Sequence, residues 1–386
     1  MDVLRIAGGR VLLPGGEQVT DVLVEDGRIA AIGTDITRGT VLDARGLLVL
    51  PGIVDIHGDS FERQLQPRPG IDFPYDIALA DTEAQLLANG ITTAFHGVTL
   101  SWEPGLRSAG AWTSLLAALH ARPWTCDMRV HLRWEAFNLD ALDLALADIE
   151  AGHVHMVAFN DHTPQIIRKI ADPVAGAKYS ERAGMTLADF RALADRVAAR
   201  ADAVTVARDR IASAARRAGL PLASHDDATV PARTAFRELG AHICEFPMAE
   251  DVGVAARDVG DWVVMGSPNV VRGRSHIGWA SATRLAEAGI CNVLSSDYYY
   301  PSMMRAALSL SQRGVLDLAR AWALISANPA RAAGLPDRGT IEPGKRADLV
   351  IVDAEIPRVT ATLAAGRIGF LTQPGAQRGI ADLMRS

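Results

Sequence analysis

Cysteine, clustered basic residues and long apolar runs are all scarce in this sequence of 386 residues. The three cysteines, Cys126, Cys244 and Cys291, are far apart and form no Cys-x-x-Cys pair, which predicts buried thiols in a reducing compartment. The N-terminal stretch MDVLRIAGGR lacks the charged start and apolar middle of a signal peptide, and no apolar run approaches membrane-spanning length. We therefore expect a cytoplasmic protein that does not use a membrane.

The charge balance is mildly acidic, with 39 Lys and Arg against 45 Asp and Glu and a formal net charge of -6. Proteins that bind nucleic acid or anionic membranes cluster Lys and Arg on one surface, and no basic block occurs here, so we expect neither partner. Hydrophobic residues make up 49% and charged residues 22%, as is typical of a soluble globular protein. An anionic small-molecule substrate must then be met by a local cluster of cations.

The two ends of the chain are predicted to be rich in β-strands. Short apolar runs alternate with turns over residues 1–46, and Asp26-Gly27 is a strong hairpin signal. A similar pattern returns in GTIEPGKRADLVIVD, which begins at Gly339. We expect two half-sheets that pack on each other as a small β-sandwich domain over 1–48 and 339–371, with a barrel over 49–338 inserted between them and a tail over 372–386.

The middle of the chain alternates strand-like and helical patterns, and eight strands with intervening helices predict an α/β fold, a closed (β/α)8 barrel of the TIM type. A doubly wound open sheet is the structural alternative, but it does not by itself explain ligand-type residues at the strand ends. The predicted strands are 49–57, 91–99, 128–135, 154–161, 220–225, 241–246, 262–266 and 291–297. The predicted helices are 82–88, 112–120, 139–149, 187–217 and 281–288.

The stretch LLVLPGIVDIHGDS organises the rest of the sequence, because a buried strand ends there in His57-Gly58-Asp59. In a parallel barrel the carboxyl ends of the strands carry the catalytic groups, so a His and an Asp two residues apart indicate a chelating pair. A simple turn after a core strand is the alternative for this tripeptide. Similar residues end other strands: Glu135, Asp161, His162, His225, Asp226, Asp227 and Asp297.

Each of these residues alone can be structural, as a helix cap or a partner for the backbone. Together at one rim they would repel one another unless a cation neutralised them, and imidazoles with carboxylates suit zinc, manganese or iron. The set therefore predicts a divalent metal site.

Longer motifs give the sequence a family resemblance. With the N-terminal β-rich segment, LPGIVDIH and EPGKRADLVIVD, the chain resembles the amidohydrolase superfamily of metal-dependent hydrolases over nearly its whole length. In detail it is similar to a branch that acts in phosphonate metabolism, the C–P lyase pathway. The motifs that carry this likeness are PRPG, HLRWE, NDHTP, KYS, ASHDDAT, EFP, MGSPNVVRG and LSSDYY.

The resemblance implies a metal centre of zinc, with manganese or iron as alternatives, held by His57, Asp59, Glu135, His162, His225 and Asp297. Superfamily members more often have His-x-His on the first strand and a carboxylated lysine between two metals, so both one and two ions stay open. The superfamily's later histidines usually lie on strands five and six, whereas the strand count above gives four and five for His162 and His225. We give the motifs precedence over the count.

The resemblance also implies a substrate, α-D-ribose 1-methylphosphonate 5-triphosphate, from which the enzyme releases diphosphate in phosphonate catabolism. Asp297 would accept a proton from the attacking water, and His276 would bind phosphate or protonate the leaving group, with a packing role as its alternative. Arginine and lysine would neutralise the phosphates. The candidates are Arg63, Arg68, Arg133, Lys178, Arg272 and Arg274, of which Arg272 and Arg274 are favoured and Arg63 is more simply a solvated surface charge. A homodimer is the expected oligomeric state.

Local departures from the branch affect the pocket. The first motif is HGDS rather than HTDN, Arg274 stands where a glycine is expected, and Tyr300 is a third tyrosine after Asp297. Two rival interpretations stay open: hydrolysis of a cyclic amide or N-acyl compound at the same metal centre, and a non-catalytic barrel with a structural metal. Structural zinc sites are closed and favour cysteine, so the carboxylate-rich set at an open rim favours catalysis.

Overall fold

A computed structural model describes residues 3–68, 70–273 and 281–377 of the chain. Sixteen strands lie among these residues: β1 (Leu4–Leu13), β2 (Gly16–Glu25), β3 (Arg28–Gly33), β4 (Thr40–Asp43), β5 (Leu48–Pro51), β6 (Ile53–Gly58), β7 (Ile91–Leu100), β8 (Asp127–Glu135), β9 (Met156–Asn160), β10 (Leu222–His225), β11 (Ile243–Glu245), β12 (Trp262–Gly266), β13 (Val293–Ser295), β14 (Leu349–Asp353), β15 (Arg358–Ala364) and β16 (Arg367–Leu371).

The helices of the same residues alternate with the strands of the middle region. They are α1 (Glu62–Leu65), α2 (Tyr75–Ala88), α3 (Ala109–His120), α4 (Leu142–Glu150), α5 (Thr163–Ile170), α6 (Pro173–Ala183), α7 (Leu187–Ala198), α8 (Val204–Arg217), α9 (Val230–Glu238), α10 (Glu250–Asp258), α11 (Ser267–Arg272), α12 (Ala282–Glu287), α13 (Ser302–Gln312), α14 (Leu318–Ala323), α15 (Ala327–Ala332) and α16 (Gln373–Ala376), with short 3-10 helices at Leu139–Ala141 and Ala201–Ala203. None of the described helices combines the length and apolarity needed to cross a bilayer.

Both termini build one sheet, in which the strand order is β16-β15-β14-β5-β1-β2-β3 and β4 pairs with β1. The predicted hairpin at Asp26-Gly27 joins β2 to β3, and both residues have the positive φ, 50° and 75°, that such a turn requires. The N-terminal and C-terminal segments meet edge to edge, because β5 pairs antiparallel with β14. The two predicted half-sheets are joined by hydrogen bonds between β5 and β14 into one continuous sheet, and side chains from both share one apolar core.

Strands β6 to β13 form the second sheet, parallel and in sequential order, so the predicted α/β barrel is confirmed. The barrel closes at its carboxyl rim, where Asp297 N donates to His57 O at 3.0 Å and Asp59 N donates to Asp297 O at 2.9 Å. Lower in the seam, Val54 N donates to Ile325 O and Leu294 N to Leu324 O, so the chain before α15 fills the gap. Closure of the barrel therefore brings His57 and Asp297 together.

An apolar layer lies beneath the rim. It is built from inward-facing side chains of the barrel strands and ends against the base of the barrel. Its members include Val54, Ile56, Phe95, Met156, Ala158, Ala223, Ile243, Val264 and Val293. Charged groups above such a layer are poorly solvated from below, which favours neutral forms or binding of a counter-ion.

Two predicted elements need correction. The strand predicted over 49–57 is two strands, β5 in the terminal sheet and β6 in the barrel. They separate at Gly52, where an added Cβ would meet Thr92 Oγ1 at 2.4 Å. The helix predicted over 187–217 is α7 and α8, because α7 packs on α5 whereas α8 packs on α4. The helices that were not predicted are α1, α5, α6, α9, α10, α11, α13, α14, α15 and α16.

Candidate active site

Strand β8 supplies three polar side chains to the barrel interior. Residues two apart on a strand face the same side, so His131, Arg133 and Glu135 point inward while Val130, Leu132 and Trp134 pack outward against helices. All three inward residues are buried, with Arg133 the most exposed at 7%. The third strand therefore places two potential ligands and one permanent cation in the same space.

The inner group consists of His57, His131 and Glu245, and each is completely or almost completely buried. His57 Nδ1 lies 3.0 Å from Glu245 Oε2, and His131 Nδ1 lies 3.9 Å from Glu245 Oε1. His131 Nδ1 donates to Ile56 O at 3.0 Å, and among the described residues His57 Nδ1, His131 Nε2 and Glu245 Oε1 have no hydrogen-bond partner. Buried polar atoms that converge without hydrogen bonds are the arrangement expected of ligands to a cation.

The rim group consists of His162, His225 and Asp226, and it lies closer to solvent. Asp226 contacts both imidazoles, at 3.6 Å from His162 Nε2 and 3.5 Å from His225 Nε2. Glu135 supports this group from behind, because His162 Nδ1 lies 2.5 Å from Glu135 Oε1 and His162 N donates to Glu135 Oε2. A carboxylate behind a histidine fixes the orientation of the ring, as in many metal sites.

Arg133 lies between His225 of the rim group and Asp59. Its Nη2 is 3.0 Å from His225 Nε2, and its Nη1 is 3.6 Å from Asp59 Oδ2. The predicted chelating pair therefore separates: His57 joins the inner group, whereas Asp59 faces a guanidinium. The reason is local, because the pairing of β6 with β7 is irregular between Asp55 and Gly58 and interrupts the regular alternation.

Three strand ends at the rim carry non-glycine residues in the left-handed region. These are Asp226 after β10, Phe246 after β11 and Asp297 after β13, with φ of 58°, 52° and 55°. Such backbone is unfavourable for residues with a Cβ and is concentrated at functional sites. Asp55 stabilises the third of these turns, because it accepts hydrogen bonds from Ser296 N at 3.0 Å and Ser296 Oγ at 2.5 Å.

The pKa shifts at the site are those of carboxyl groups with too little positive charge nearby to keep them ionised. Burial raises the pKa of Glu245 to about 7, and burial with the nearby Asp59 raises that of Asp297 to about 7. Burial also lowers the pKa of His57 well below its ordinary value, so this imidazole is neutral and able to donate its lone pair. Burial alone would lower the pKa of His162, but Asp226 and Glu135 outweigh it and raise the value to about 9. A bound cation would stabilise the ionised carboxylates, so the residues present fit a divalent metal.

The six predicted metal ligands are not all equivalent in the structure. His57, His162 and His225 belong to the two groups, Glu135 supports His162, and Asp59 and Asp297 lie at the rim. Their ligand roles stay predictions. The strand count was correct, because His162 follows the fourth barrel strand and His225 ends the fifth.

Of the predicted substrate contacts that the structure describes, Arg133 contacts His225 of the rim group, and the others lie outside the ligand groups. Arg272 is exposed at the end of α11, and its Nη1 donates to Tyr298 Oη at 3.3 Å. Arg63 lies over the same tyrosine ring at 5.9 Å. Arg68 and Lys178 are exposed. Arg274 and His276 lie outside the described residues.

Sequence reasoning missed three members of the groups as metal ligands: His131, Glu245 and Asp226. Side chains of a strand alternate between its two faces, so His131, four residues before Glu135 on β8, could have been predicted to face the same side. Glu245 ends a predicted strand and stands in a quoted motif, so its position was a usable signal. Asp226 stood in the strand-end set that predicted a metal site, but it was not among the six ligands that the resemblance implied.

Comparisons with known proteins agree with this geometry. A family model described as the amidohydrolase family matches residues 153–374. The chain is 33% identical over 341 residues to alpha-D-ribose 1-methylphosphonate 5-triphosphate diphosphatase of Escherichia coli (strain K12), which covers 85% of this chain and 89% of that one. The resemblance inferred from the motifs is thereby confirmed.

Solved structures share the fold at low sequence identity. N-acetylglucosamine-6-phosphate deacetylase from Pasteurella multocida has a TM-score of 0.64 at 11% identity, over 95% of this chain and 99% of that one. Beta-aspartyl dipeptidase from Fervidobacterium islandicum AW-1 has a TM-score of 0.63 at 14% identity, over 96% of this chain and 97% of that one. Both likenesses support the architecture of a barrel with a terminal sheet.

Proposed function

Because the chain belongs to the amidohydrolase family, we propose that it hydrolyses α-D-ribose 1-methylphosphonate 5-triphosphate between its alpha and beta phosphorus atoms. Water oxygen bonds to the alpha phosphorus, the bond from that phosphorus to the bridging oxygen breaks, and diphosphate leaves. The ribose retains a single 5-phosphate. The similarity to the Escherichia coli diphosphatase over 85% of the chain is the observation that carries this proposal.

The inner and rim groups are the residues that would hold a divalent cation, for which we propose zinc. Their imidazole nitrogens and carboxylate oxygens suit zinc, and manganese and iron accept the same ligands. Such a cation lowers the pKa of bound water and polarises the phosphoryl group under attack. The chain's own residues orient the reactants and move the proton.

Asp297 is the proposed proton acceptor. Its backbone is fixed against His57 by the barrel closure, and its turn is fixed by the two hydrogen bonds from Ser296 to Asp55. The carboxyl is only partly buried, so it faces the open rim where a substrate enters. A carboxylate held rigidly beside the metal ligands is well placed to take a proton from water.

Arginines at the mouth would neutralise the phosphates. Tyr298 directly follows Asp297 in the chain. Arg63 lies over its ring, and Arg272 donates a hydrogen bond to its hydroxyl. A guanidinium makes paired hydrogen bonds to phosphate oxygens and stays charged at any physiological pH. We propose Arg272 as the first phosphate contact, with Arg68, Lys178, Arg274 and His276 as further substrate contacts or, for His276, a proton donor to diphosphate.

Phosphorus NMR on the zinc-loaded protein tests the function. The ribose triphosphate is expected to give diphosphate and a 5-phosphate as its two new signals. Successive release of single phosphates, or no release, would eliminate the proposed reaction. Dihydroorotate and N-acetylglucosamine 6-phosphate serve as amide substrates, and turnover of either in place of the triphosphate would favour the amide interpretation.

Arg272→Ala tests the phosphate contact in the same assay. We expect KM to rise about fivefold with kcat little changed, because an exposed ion pair contributes roughly 1 kcal/mol to binding. Arg313→Ala removes an exposed arginine beyond α13 and is the matched control. An unchanged KM in Arg272→Ala would remove this residue from the proposal.

A further inference from the structure

A cavity of about 740 Å³ lies where the terminal sheet meets the base of the barrel. Much of its lining is apolar, with Leu4, Val24, Ala364 and Ile368 contributed by four strands of the sheet. Trp124, in the loop that precedes β8, lines this apolar cavity from the barrel side. Cavities of this size that lie between domains and combine apolar walls with a few polar groups are typical small-molecule sites.

Backbone contacts fix the shape of the apolar cavity. Two hairpin turns line it, Asp26-Gly27 between β2 and β3 and Ala365-Gly366 between β15 and β16. The turns touch, because a Cβ at Gly27 would lie 2.9 Å from Ala365 O. Ala347 holds both, since its N–H donates to Gly27 O at 2.8 Å and its carbonyl accepts from Gly366 N at 2.9 Å. Walls held by the backbone are formed before a ligand arrives, which lowers the entropic cost of binding.

A second cavity, of about 420 Å³, shares Trp124 and Arg346 with the first. Among the described residues, four guanidinium groups and one carboxylate line this arginine cavity: Arg122, Arg129, Arg338, Arg346 and Asp127. Arg129 and Arg338 both donate to Asp127, so this carboxylate already has two cationic partners. A mainly apolar cavity and a mainly cationic one therefore meet at Trp124 and Arg346.

Two of these arginines keep donors without a protein acceptor. Arg346 binds Asp348 through Nε, at 2.8 and 3.0 Å, and its two Nη groups have no acceptor among the described residues. The Arg122 guanidinium lies 3.8 Å from the centre of the Trp124 ring, and the described part of the chain offers it no carboxylate or carbonyl oxygen. These N–H groups are therefore available to an anion.

The other carboxylates of this region are already bonded. They balance the arginines in total charge, but the structure gives them no bond to Arg122 or to the Nη groups of Arg346. They are Asp348, bonded to Arg346 Nε, Asp337, bonded to Arg338, and Glu83, bonded to the N–H groups of Thr125 and Cys126. Guanidinium donors beside an apolar cavity suit an anionic group carried on an apolar body.

We propose that the two cavities form one binding site for a small aromatic anion. Its ring occupies the apolar cavity beside Trp124, and its phosphate or carboxylate binds Arg122 and Arg346. A guanidinium binds either group through paired N–H donors, and an indole packs well against another ring. The site lies at the base of the barrel, away from the ligand groups at the rim, so it does not depend on the proposed diphosphatase function.

Calorimetric titration of the full-length protein with naphthyl phosphate tests the proposal. We expect saturable binding, about tenfold tighter or more than that of inorganic phosphate, which lacks the ring, and of naphthol, which lacks the charge. Naphthoate is the second probe, and the tighter of the two anions identifies the group that the arginines prefer. No saturable binding of either anion, or binding no tighter than that of naphthol, would overturn the proposal.

Variants locate the bound anion. Arg122→Gln should weaken binding about fivefold, the loss expected for one exposed charge pair. Arg346→Lys keeps a cation for Asp348, removes the forked donors and should have a similar effect. The exposed Arg313, changed to Gln, is the matched control, and Arg272→Ala tests the mouth of the active site; both should bind like the wild type.

Circular dichroism checks that each variant is folded. Arg122 is exposed, so its variant carries the test alone if Arg346→Lys does not fold. Equal binding in the wild type and Arg122→Gln would contradict the assigned site. Weaker binding in Arg272→Ala with unchanged binding in Arg122→Gln would place the anion at the active site and overturn the proposal.

Discussion

The two ends of the barrel use the same residue types under opposite electrostatic conditions. At the base, Asp127 accepts hydrogen bonds from Arg129 Nε at 3.0 Å and from Arg338 Nη1 at 2.6 Å. Towards the other end, Glu245 of the inner group is 0% exposed against 21% for Asp127, faces imidazoles, and has no hydrogen bond to Oε1 from the residues that the structure describes. Asp127 therefore has two arginine partners, whereas Glu245 has no arginine or lysine partner among the described residues and would be stabilised in its ionised form by a bound cation.

The pKa shifts follow the same division. Burial would raise the pKa of Asp127, but Arg129 and Arg338 outweigh it and the value is lowered. Burial dominates at Glu245, where the pKa rises to about 7. A buried carboxylate without a cationic partner lowers stability, so the presence of Glu245 in the inner group indicates a role in binding or catalysis.

The first prediction is that replacing an aspartate with asparagine lowers turnover at the rim of the barrel and leaves it almost unchanged at the base. Asp297→Asn should lower turnover of the triphosphate about a thousandfold, because the amide cannot accept the proton from water. Asp127→Asn should leave turnover within about twofold. Initial rates of diphosphate release measure both, and circular dichroism checks that each variant is folded. If Asp297→Asn kept a rate within tenfold of the wild type, the rim would lose its proposed base.

The second prediction concerns stability at the base. Asp127→Asn removes the charge that Arg338 contacts, and the Arg338 side chain is only 4% exposed. We expect the free energy of unfolding to fall by about 2 to 3 kcal/mol, since the arginine is left buried with less compensation. Urea denaturation measures the change.

Asp140→Asn is the matched control for this substitution. Its ion pair with Arg200 has side chains 83% and 46% exposed, and exposed pairs contribute about 1 kcal/mol or less. A loss in Asp127→Asn no larger than in Asp140→Asn would show that the base network is not a stabilising one.

The barrel could be predicted from the sequence because each strand is a local apolar run that ends in a polar residue. The count of eight strands and the strand positions of His162 and His225 are visible in that pattern. The hairpin at Asp26-Gly27 was equally local. What the pattern could not show is that α7 and α8 separate, because their packing partners, α5 and α4, lie elsewhere in the chain.

The site was predictable as a set of residues but not as a geometry. His57 belongs to the site both in the sequence prediction and in the structure. Its expected partner Asp59 faces Arg133 instead. Glu245, which lies five strands further along the barrel, is the carboxylate beside His57. The irregular pairing at the end of β6 decides this, and such an irregularity leaves no clear mark in a short motif. Distances across a closed barrel come from the fold as a whole.

The third prediction, the smallest, sharpens the comparison with a histidine at the base. His155 lies just before β9, and burial, with Arg129 as the next cause, lowers its pKa to about 4. Asp127, His120 and His153 are the other titratable groups around it. Unlike His57 at the rim, it has a partner for Nδ1, because Val130 N donates to it at 3.2 Å.

A histidine in the unfolded chain has a pKa of about 6.5. Native His155 has a pKa of about 4, so between these two pH values the unfolded chain binds a proton at this residue and the native protein does not. Its contribution to stability is therefore present above pH 6.5 and is lost as the pH falls. His155→Asn keeps an acceptor for Val130 N and should reduce the loss of stability between pH 7 and pH 5 by roughly 1 kcal/mol, after allowance for solvent screening. Urea denaturation at the two pH values measures this difference, with His242→Asn, a histidine whose side chain is 62% exposed, as control. If the free energy of unfolding fell equally between pH 7 and pH 5 in the wild type and in His155→Asn, protonation of His155 would not destabilise the base. The contrast between the two ends would then be confined to carboxylates.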